Sequence, residues 1–499
     1  METLQRTANR GSVSTGYDVD NSIMFTTTGN YADSGSYFYD VIASSEGWAA
    51  NSDAGTNARK CTVSTWVKRT RLIAGSHYPR IFSYRAGGIA FDCFFDVTNN
   101  QLTMYDDNTS MSLKTNRVFR DTSAWYHIVV AVDQTQSTAA NRVKVYINGV
   151  QETSWATEDY GNQNVDLSAF RAAGTNVYVG GAANDAAAYF NGYISEYHFI
   201  DGAQLAQTDF GEFDSDTGIW IPKKFTGSYG TLGHYYNFTV ASDMGKDFSG
   251  NGNDCNNRGD GITNGAARQA TDTCTNNFCT LALQVRAGTQ NHVSPSASGG
   301  TMIPMSGVNQ FDAFFGTIGV TQGKWFWEFY VPSRSASYGL LNYVGLHNLK
   351  TIPAGANAVG GTSQCYWIMH YGDYNATTNG SNTGQNTAAG LPSEGTGAVG
   401  RTFGVAFNAD DGQITFYNNG SVTGNAGIDI FDLHDDMAND DFTLPSFTVY
   451  DNNLNVNFGG YSSVAITSGN TDANGYGNFE YAVPSGYYAL CTKNLVEFG

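Results

Sequence analysis

Apolar and polar residues alternate along most of this chain in short runs. In "RVKVYINGV", residues 142–150, Val143, Val145 and Ile147 alternate with Lys144, Tyr146 and Asn148. That period of two predicts a β-strand with one buried face. Asn148-Gly149 then supplies the positive φ angles of a tight hairpin turn. A second copy, "GQITFYNNGS" at 412–421, places Ile414 and Phe416 in the same alternation ahead of Asn418, Asn419 and Gly420. "YHIVVAV", 126–132, is apolar on both faces, as in a strand central to a sandwich. "GKWFWEFYV", 323–331, puts Trp325, Trp327, Phe329 and Val331 on one face. A single helix-like piece, "DGAQLAQTDFGEF", spans 201–213.

The spacing of these runs predicts an all-β chain of two tandem antiparallel jelly-roll β-sandwiches, at 17–213 and 301–499. Residues 1–16 are polar and without periodicity, suited to an attachment segment. Between the sandwiches, at 214–300, the alternation lapses in "GIWIPKKFTGSYGTLGHYYNF" and "KDFSGNGNDCNNRGDG". This stretch is expected to be an irregular connector, too aromatic for a free linker.

Composition narrows the function. The chain has 58 glycines, 14% aromatic and 14% charged residues, which suits a turn-rich β protein and not a disordered one. Its formal charge is -19, with only 26 Lys and Arg. No basic cluster is present to displace counterions, so nucleic acid is not an expected partner, nor is an anionic membrane surface. No apolar run approaches the roughly 20 residues of a membrane span, and no secretory signal is evident at the N-terminus. The seven cysteines form no CxxC pair and are expected as reduced, mostly buried thiols.

The order of the N-terminal pieces resembles a known family. "TVSTWVKR", "WYHIVVAVD", "VKVYINGVQ", "VYVGG" and the closing "FNGYISEYHFIDGAQLAQTDF" are similar to the laminin-G-like, or concanavalin A-like, lectin/glucanase jelly roll. From 320 to 460, "GKWFWE", "YVGL", "GVAFN", "DDGQITFYNNG" and "VNFGG" resemble the SPRY sandwich in order. The tandem pair resembles virion structural proteins of tailed bacteriophages. That resemblance implies a non-enzymatic fibre or adhesin, made in the host cytoplasm and carried on the virion. It implies a host-surface glycan as ligand, other virion proteins as partners of residues 1–16, and a homo-oligomer, a trimer. The alternatives are a capsid decoration or tail-shell protein with no ligand, and a glycan depolymerase.

The sequence offers few catalytic groups. Retaining glycosidases need two carboxylates on one face, about 5 Å apart. The nearest arrangement, Glu212, Asp214 and Asp216 in "EFDSD", reads as a solvated loop. Glu196 in "GYISEYHF" is expected to be structural, and His127, His198, His347 and His370 lack metal-ligand spacing. No cofactor is expected. Acidic turns that could hold calcium lie at Asp410 and Asp411 and at positions 105 and 106 of "YDDN" (Tyr105, Asp106). The segment 371–397, rich in Asn, Thr and Gly, is expected to be a long loop, and long loops in compact domains tend to be functional. Tyr371, Tyr374, Asn375 and Asn382 are its candidate carbohydrate contacts: aromatic faces and neutral amides suit uncharged sugars.

Overall fold

The structure is a computed structural model. It describes residues 16–25, 37–41, 57–72, 78–86, 88–170, 176–182, 189–258, 268–287, 299–304, 311–332, 343–349, 364–368, 373–378, 381–386, 399–423, 426–429, 442–450 and 453–499. The chain divides into two compact units, Ser12–Thr275 and Asn276–Gly499. Among the described residues the strand pairs are antiparallel, except that Tyr488–Ala489 runs parallel to Lys324–Tyr330. The all-β expectation holds.

In the first unit, one sheet runs in the order 150–151, 143–147, 125–133, 60–69, 192–201, 22–25, 269–270. The facing sheet runs 155–159, 111–118, 101–106, 89–95, 80–86, 176–179, 37–41, 256–258. Val143, Val145 and Ile147 point into the core between them, with Val63, Ile128, Phe91 and Leu102. Strand Trp125–Asp133 is apolar on its other face because that face is covered too. Val129, Tyr146 and Ile200 lie beneath Phe210, Leu205, Phe225 and Tyr229.

Of the connector expected at 214–300, the described residues up to Thr275 fall in the first unit. His234–Tyr236 pairs with Gly192–Asp201, Asn256–Arg258 with Tyr37–Val41, and Gln269–Ala270 with Ser22–Phe25. Leu232, Tyr236, Phe238, Met244 and Cys255 are buried in the core. The reason is apolar area: side chains of this size stabilise by about 1.5–3 kcal/mol each when removed from water, even from irregular backbone.

Two polar contacts fasten this segment. Lys68 and Asp272 are fully buried and form an ion pair of 2.7 Å, and Trp125 Nε1 donates to the second carboxylate oxygen at 3.1 Å. Trp220 Nε1 donates to His127 Nδ1 at 2.9 Å, and His127 Nε2 meets Ser64 Oγ at 2.9 Å. The Trp220 ring lies against the hairpin turn. Asn148 and Gly149 have φ of 48° and 78°, and a Cβ on Gly149 would come within 2.2 Å of the indole.

The second unit repeats the scheme. One sheet runs 281–287, 311–316, 443–450, 343–348, 364–368, 373–378, 381–386; the other runs 302–304, 453–457, 324–330, 402–408, 413–418, 421–422. Trp325, Trp327, Phe329 and Val331 share the core with Phe403, Phe407, Ile414 and Phe447, as their alternation predicts. Asn419 and Gly420 adopt φ of 46° and 78°, the same turn as in the first unit, and here Tyr481 occupies the bare face of the glycine. The long loop expected at 371–397 is corrected in part: Asp373–Thr378 and Ser381–Asn386 are paired strands that extend the sheet beyond Gln364–Ile368. A ladder at a sheet's end needs no apolar alternation, so the polar sequence gave no sign of it.

Removing one partner of a buried ion pair leaves the other uncompensated. Asp272→Ala is therefore expected to destabilise the first unit by about 3–5 kcal/mol in urea unfolding, with Lys68→Met/Asp272→Leu recovering most of the loss. A second expectation concerns acid. Burial pushes His127 down to about 3 and His234 down to about 4. Unfolded imidazoles titrate near about 6.5, so below that pH the unfolded chain binds protons that the folded chain refuses. The unfolding midpoint should fall as pH drops from about 6.5 towards 4, and less steeply in His127→Gln.

Candidate functional site

The outer face of the second sheet of the first unit carries a groove enclosing about 340 Å³. Strands Arg80–Ala86, Ile89–Phe95 and Gln101–Asp106 form its floor. Phe91, Cys93, Phe95, Leu102 and Met104 face the core, so Asp92, Phe94 and Tyr105 face outward. A register shift between Arg80 and Phe82 turns Ile81 and Phe82 both inward. This one-residue bulge brings Arg80 to the same face as Ser83 and Arg85.

Asp92 organises the polar half. It is 3% exposed. Arg80 Nε and Arg85 Nη2 donate to its Oδ2 at 2.8 and 2.9 Å, and Ser83 Oγ donates to its Oδ1. Arg85 Nε also donates to Ser83 Oγ at 2.7 Å. A guanidinium held on two sides keeps a fixed orientation, so Arg85 presents a rigid planar edge.

The aromatic half is exposed. Tyr78 and Tyr105 are 45% and 38% accessible. The Tyr78 ring meets Phe94 edge-on, centroids 5.3 Å apart, and Arg80 lies 5.8 Å over the Phe94 ring. Tyr105 Oη donates to Asp107 Oδ1 at 2.7 Å, and Asp107 Oδ2 accepts from the Ala90 N–H at 2.7 Å. The bond to Asp107 raises the Tyr105 phenol above its ordinary range, which keeps it neutral. The groove thus offers flat rings, a guanidinium edge and a carboxylate, with two charges of each sign.

The sequence-predicted residues lie elsewhere or do other work. Tyr371 lies outside the described residues. Tyr374, Asn375 and Asn382 fall within the two strands of the 373–386 hairpin and not in a loop. Asp106 is fully buried and accepts from the N–H groups of Thr109 and Ser168, so it ties a turn to the 168–170 segment. Asp410 accepts from Gly323 N and Asp411 from Asn408 Nδ2. Among the described residues no group of three His, Cys, Asp or Glu could share a metal ion. Asp214 caps its own turn through Thr217, and Glu212 is exposed on the neighbouring strand.

Glu196 sits at a bulge in strand Gly192–Asp201 with φ of 49° and 5% exposure. Tyr17 Oη and Tyr235 Oη donate to it at 2.9 and 2.8 Å. Burial, and then the Glu196 charge, push both phenols up, so both remain donors. His198 stacks on Tyr235 at 4.3 Å and meets Tyr229 Oη through Nδ1 at 3.0 Å. This partly buried network ties Tyr17, Tyr229 and Tyr235 to strand Gly192–Asp201.

Residues 43–208 match the family model of the concanavalin A-like lectin/glucanases superfamily. The region that holds the groove is a concanavalin A-like, laminin-G-type domain. Similar solved structures are found at low identity. Mouse laminin alpha1 domains LG4-5 align at 10% identity over 96% of this chain and 88% of that one, with a TM-score of 0.26. The SPRY domain of human HERC1 aligns at 14% identity over 35% of this chain and 96% of its own, TM-score 0.24. Domain 4 of AbnA, an extracellular arabinanase of Geobacillus stearothermophilus solved with arabinotriose, aligns at 20% identity over 30% and 63%, TM-score 0.22. No curated protein matches the chain.

The groove separates structural from exposed side chains. Asp92→Asn removes the charge that compensates buried Arg80 and should cost about 3 kcal/mol or more in urea unfolding. Tyr78→Ala and Tyr105→Ala should stay within about 0.5 kcal/mol of the parent, as exposed positions do.

Proposed function

We propose that the chain is a non-enzymatic glycan-binding protein, and that the groove of the first unit holds a neutral sugar. The observation that carries this is the pairing of exposed Tyr78 and Tyr105 with the fixed Arg85 and Asp107. A pyranose has an apolar face and a rim of hydroxyls. The rings take the face; Asp107 accepts from hydroxyls and Arg85 donates to them. Equal numbers of the two charges favour neither acidic nor basic sugars. The lectin/glucanase superfamily match over 43–208 supports the same reading.

The setting we infer is the surface of a bacteriophage particle. Its support is the order of a lectin-like sandwich followed by SPRY-like text, with a polar segment at 1–16 suited to docking on other virion proteins. One weak sugar site gains strength by multiplication, so a homo-oligomer, a trimer, fits this use. Tyr374, Asn375 and Asn382 on the 373–386 hairpin would give the second unit a contact surface of its own.

A glycan array on the purified chain tests the binding. Stacking contributes about 1 kcal/mol per ring, so Tyr105→Ala and Tyr78→Ala should each weaken the captured glycan roughly fivefold. Removing 373–386 should leave that signal intact. Capture of no glycan, or full capture by the double Tyr→Ala variant, would sink the groove reading. New reducing ends released from a captured polysaccharide would sink the non-enzymatic one.

A further inference from the structure

In the second unit a strap of chain crosses the outer face of a sheet and is pinned there at a buried carboxylate. Trp325, Trp327 and Phe329 of strand Lys324–Tyr330 point into the core, so Phe326, Glu328 and Tyr330 face the other way. Residues 462–481 lie across that face and enclose a cleft of about 240 Å³ against it. Glu328 is 1% exposed at the base of the cleft. Its Oε1 accepts from Tyr481 N at 2.9 Å, and its Oε2 accepts from Glu480 N at 3.0 Å and Asn457 Nδ2 at 3.1 Å. Two of these three donors are consecutive backbone groups of the strap.

Elsewhere the strap is lightly held. Of its apolar side chains only Phe479 is fully buried, edge-on to Phe326 with centroids 5.3 Å apart. Several of its bonds are internal: Asn470 and Phe479 form an isolated bridge, and Thr467 N and Oγ1 donate to Glu480 at 2.7 and 2.6 Å. A segment with few buried apolar contacts opens more readily than the strands beneath it. The surroundings of Glu328 also lack a counter-charge. No Lys, Arg or His is among the described residues that line the cleft. Gly404 and Asn457, opposite Glu328 on the flanking strands, carry no charge. The strap contributes Glu480 and Tyr481, the strand itself Tyr330, and the strand beyond Gly404 contributes Tyr417. Burial raises the phenols of Tyr417 and Tyr481, which stay neutral.

We propose that residues 462–481 form a pH-sensitive strap, closed over the sheet in acid and loosened as the pH rises to neutral, with Glu328 as its sensor. A carboxylate shut away from water beside a second carboxylate, with no cation near, resists ionisation. Burial pushes the Glu328 carboxyl up to about 7 against the pull of its three donors, and the Glu480 charge adds to the rise. Glu480 is itself held below its ordinary range: burial opposes this, but the Thr467 hydroxyl and the Thr467 and Ser468 N–H groups outweigh it. When the strap lifts, Glu328 meets water and returns to the ordinary glutamate value of about 4.3. Between these two values the closed form holds a proton that the open form releases. Closure is therefore fully favoured in acid and loses that advantage as the pH rises through about 7. Opening uncovers the cleft and withdraws the Tyr481 ring from Gly420.

The test is amide hydrogen exchange on the full chain, each rate divided by the intrinsic rate at the same pH. The amides of Glu480 and Tyr481, which donate to Glu328, should open at least about tenfold more often at pH 7 than at pH 5, and the rise should level off by about pH 8. Strand Thr402–Asn408 beneath the strap should keep its protection throughout, which separates local opening from unfolding of the unit. Glu328→Gln should abolish the pH dependence at 480 and 481. Glu480→Gln, which keeps the fold should the first variant not, should shift the rise to lower pH. Corrected exchange at 480 and 481 that stays flat or slows from pH 5 to pH 7 would overturn the proposal. So would the wild-type pH profile persisting in Glu328→Gln, a rise shared equally by strand Thr402–Asn408, or a shift to higher pH in Glu480→Gln. No ligand enters the measurement, and neither Tyr78 nor Tyr105 takes part, so the groove and the strap stand or fall separately.

Discussion

The first unit depends on one buried pair of charges. Lys68, on strand Lys60–Arg69, and Asp272, two residues beyond strand Gln269–Ala270, both sit at 0% exposure. Isolated, either ion would be costly in that environment, and together they roughly offset the cost only when fully hydrogen-bonded. Trp125 completes the set on Asp272, and Ser22 Oγ donates to the Asp272 carbonyl oxygen at 2.6 Å. The pair therefore fixes where residues 269–275 return, and with them the place of strand Ser22–Phe25. An apolar pair could match it in energy but not in specificity of position, since a charge tolerates only its partner.

The groove is rigid for a reason of its own. Its walls are side chains whose partners are settled by strand register: Arg80 lies opposite Phe94 and Ser83 opposite Asp92. Three groups converge on one carboxylate, so the surface is organised before any ligand arrives. Binding then loses less conformational entropy than it would at a floppy site. In the second unit the backbone N–H groups of Glu480 and Tyr481 likewise hold the Glu328 carboxylate in place.

Much of the fold was legible because alternation is a direct imprint of a two-faced sheet. Val143, Val145, Ile147, Trp325, Trp327 and Phe329 all face cores as their spacing predicts. The placement of 214–275 was not legible, because Leu232, Phe238 and Met244 are buried from irregular backbone that has no period. The groove was hidden for another reason. Tyr105 and Asp106 are neighbours in an acidic run, but strand geometry sends Tyr105 outward and Asp106 inward. Arg80 joins Asp92 only through a bulge, and a bulge leaves no mark in single-residue propensities. The hairpin at 373–386 was missed because its strands carry none of the apolar pattern that marks the rest.

The two Asn-Gly turns share a feature with a longer reach than their geometry. In each, the glycine is bare on the side where an aromatic ring from a later segment arrives: Trp220 on Gly149, Tyr481 on Gly420. The glycine thus answers to two selective pressures at once, the left-handed backbone and the vacancy for the ring. Asparagine or aspartate could satisfy the first but would block the second. Drift among homologous chains should accordingly treat each glycine and its ring as a linked pair, retained together or lost together, while the asparagine before it varies. A turn that looks like generic hairpin grammar is in this protein the receptacle for the segment that closes each sandwich.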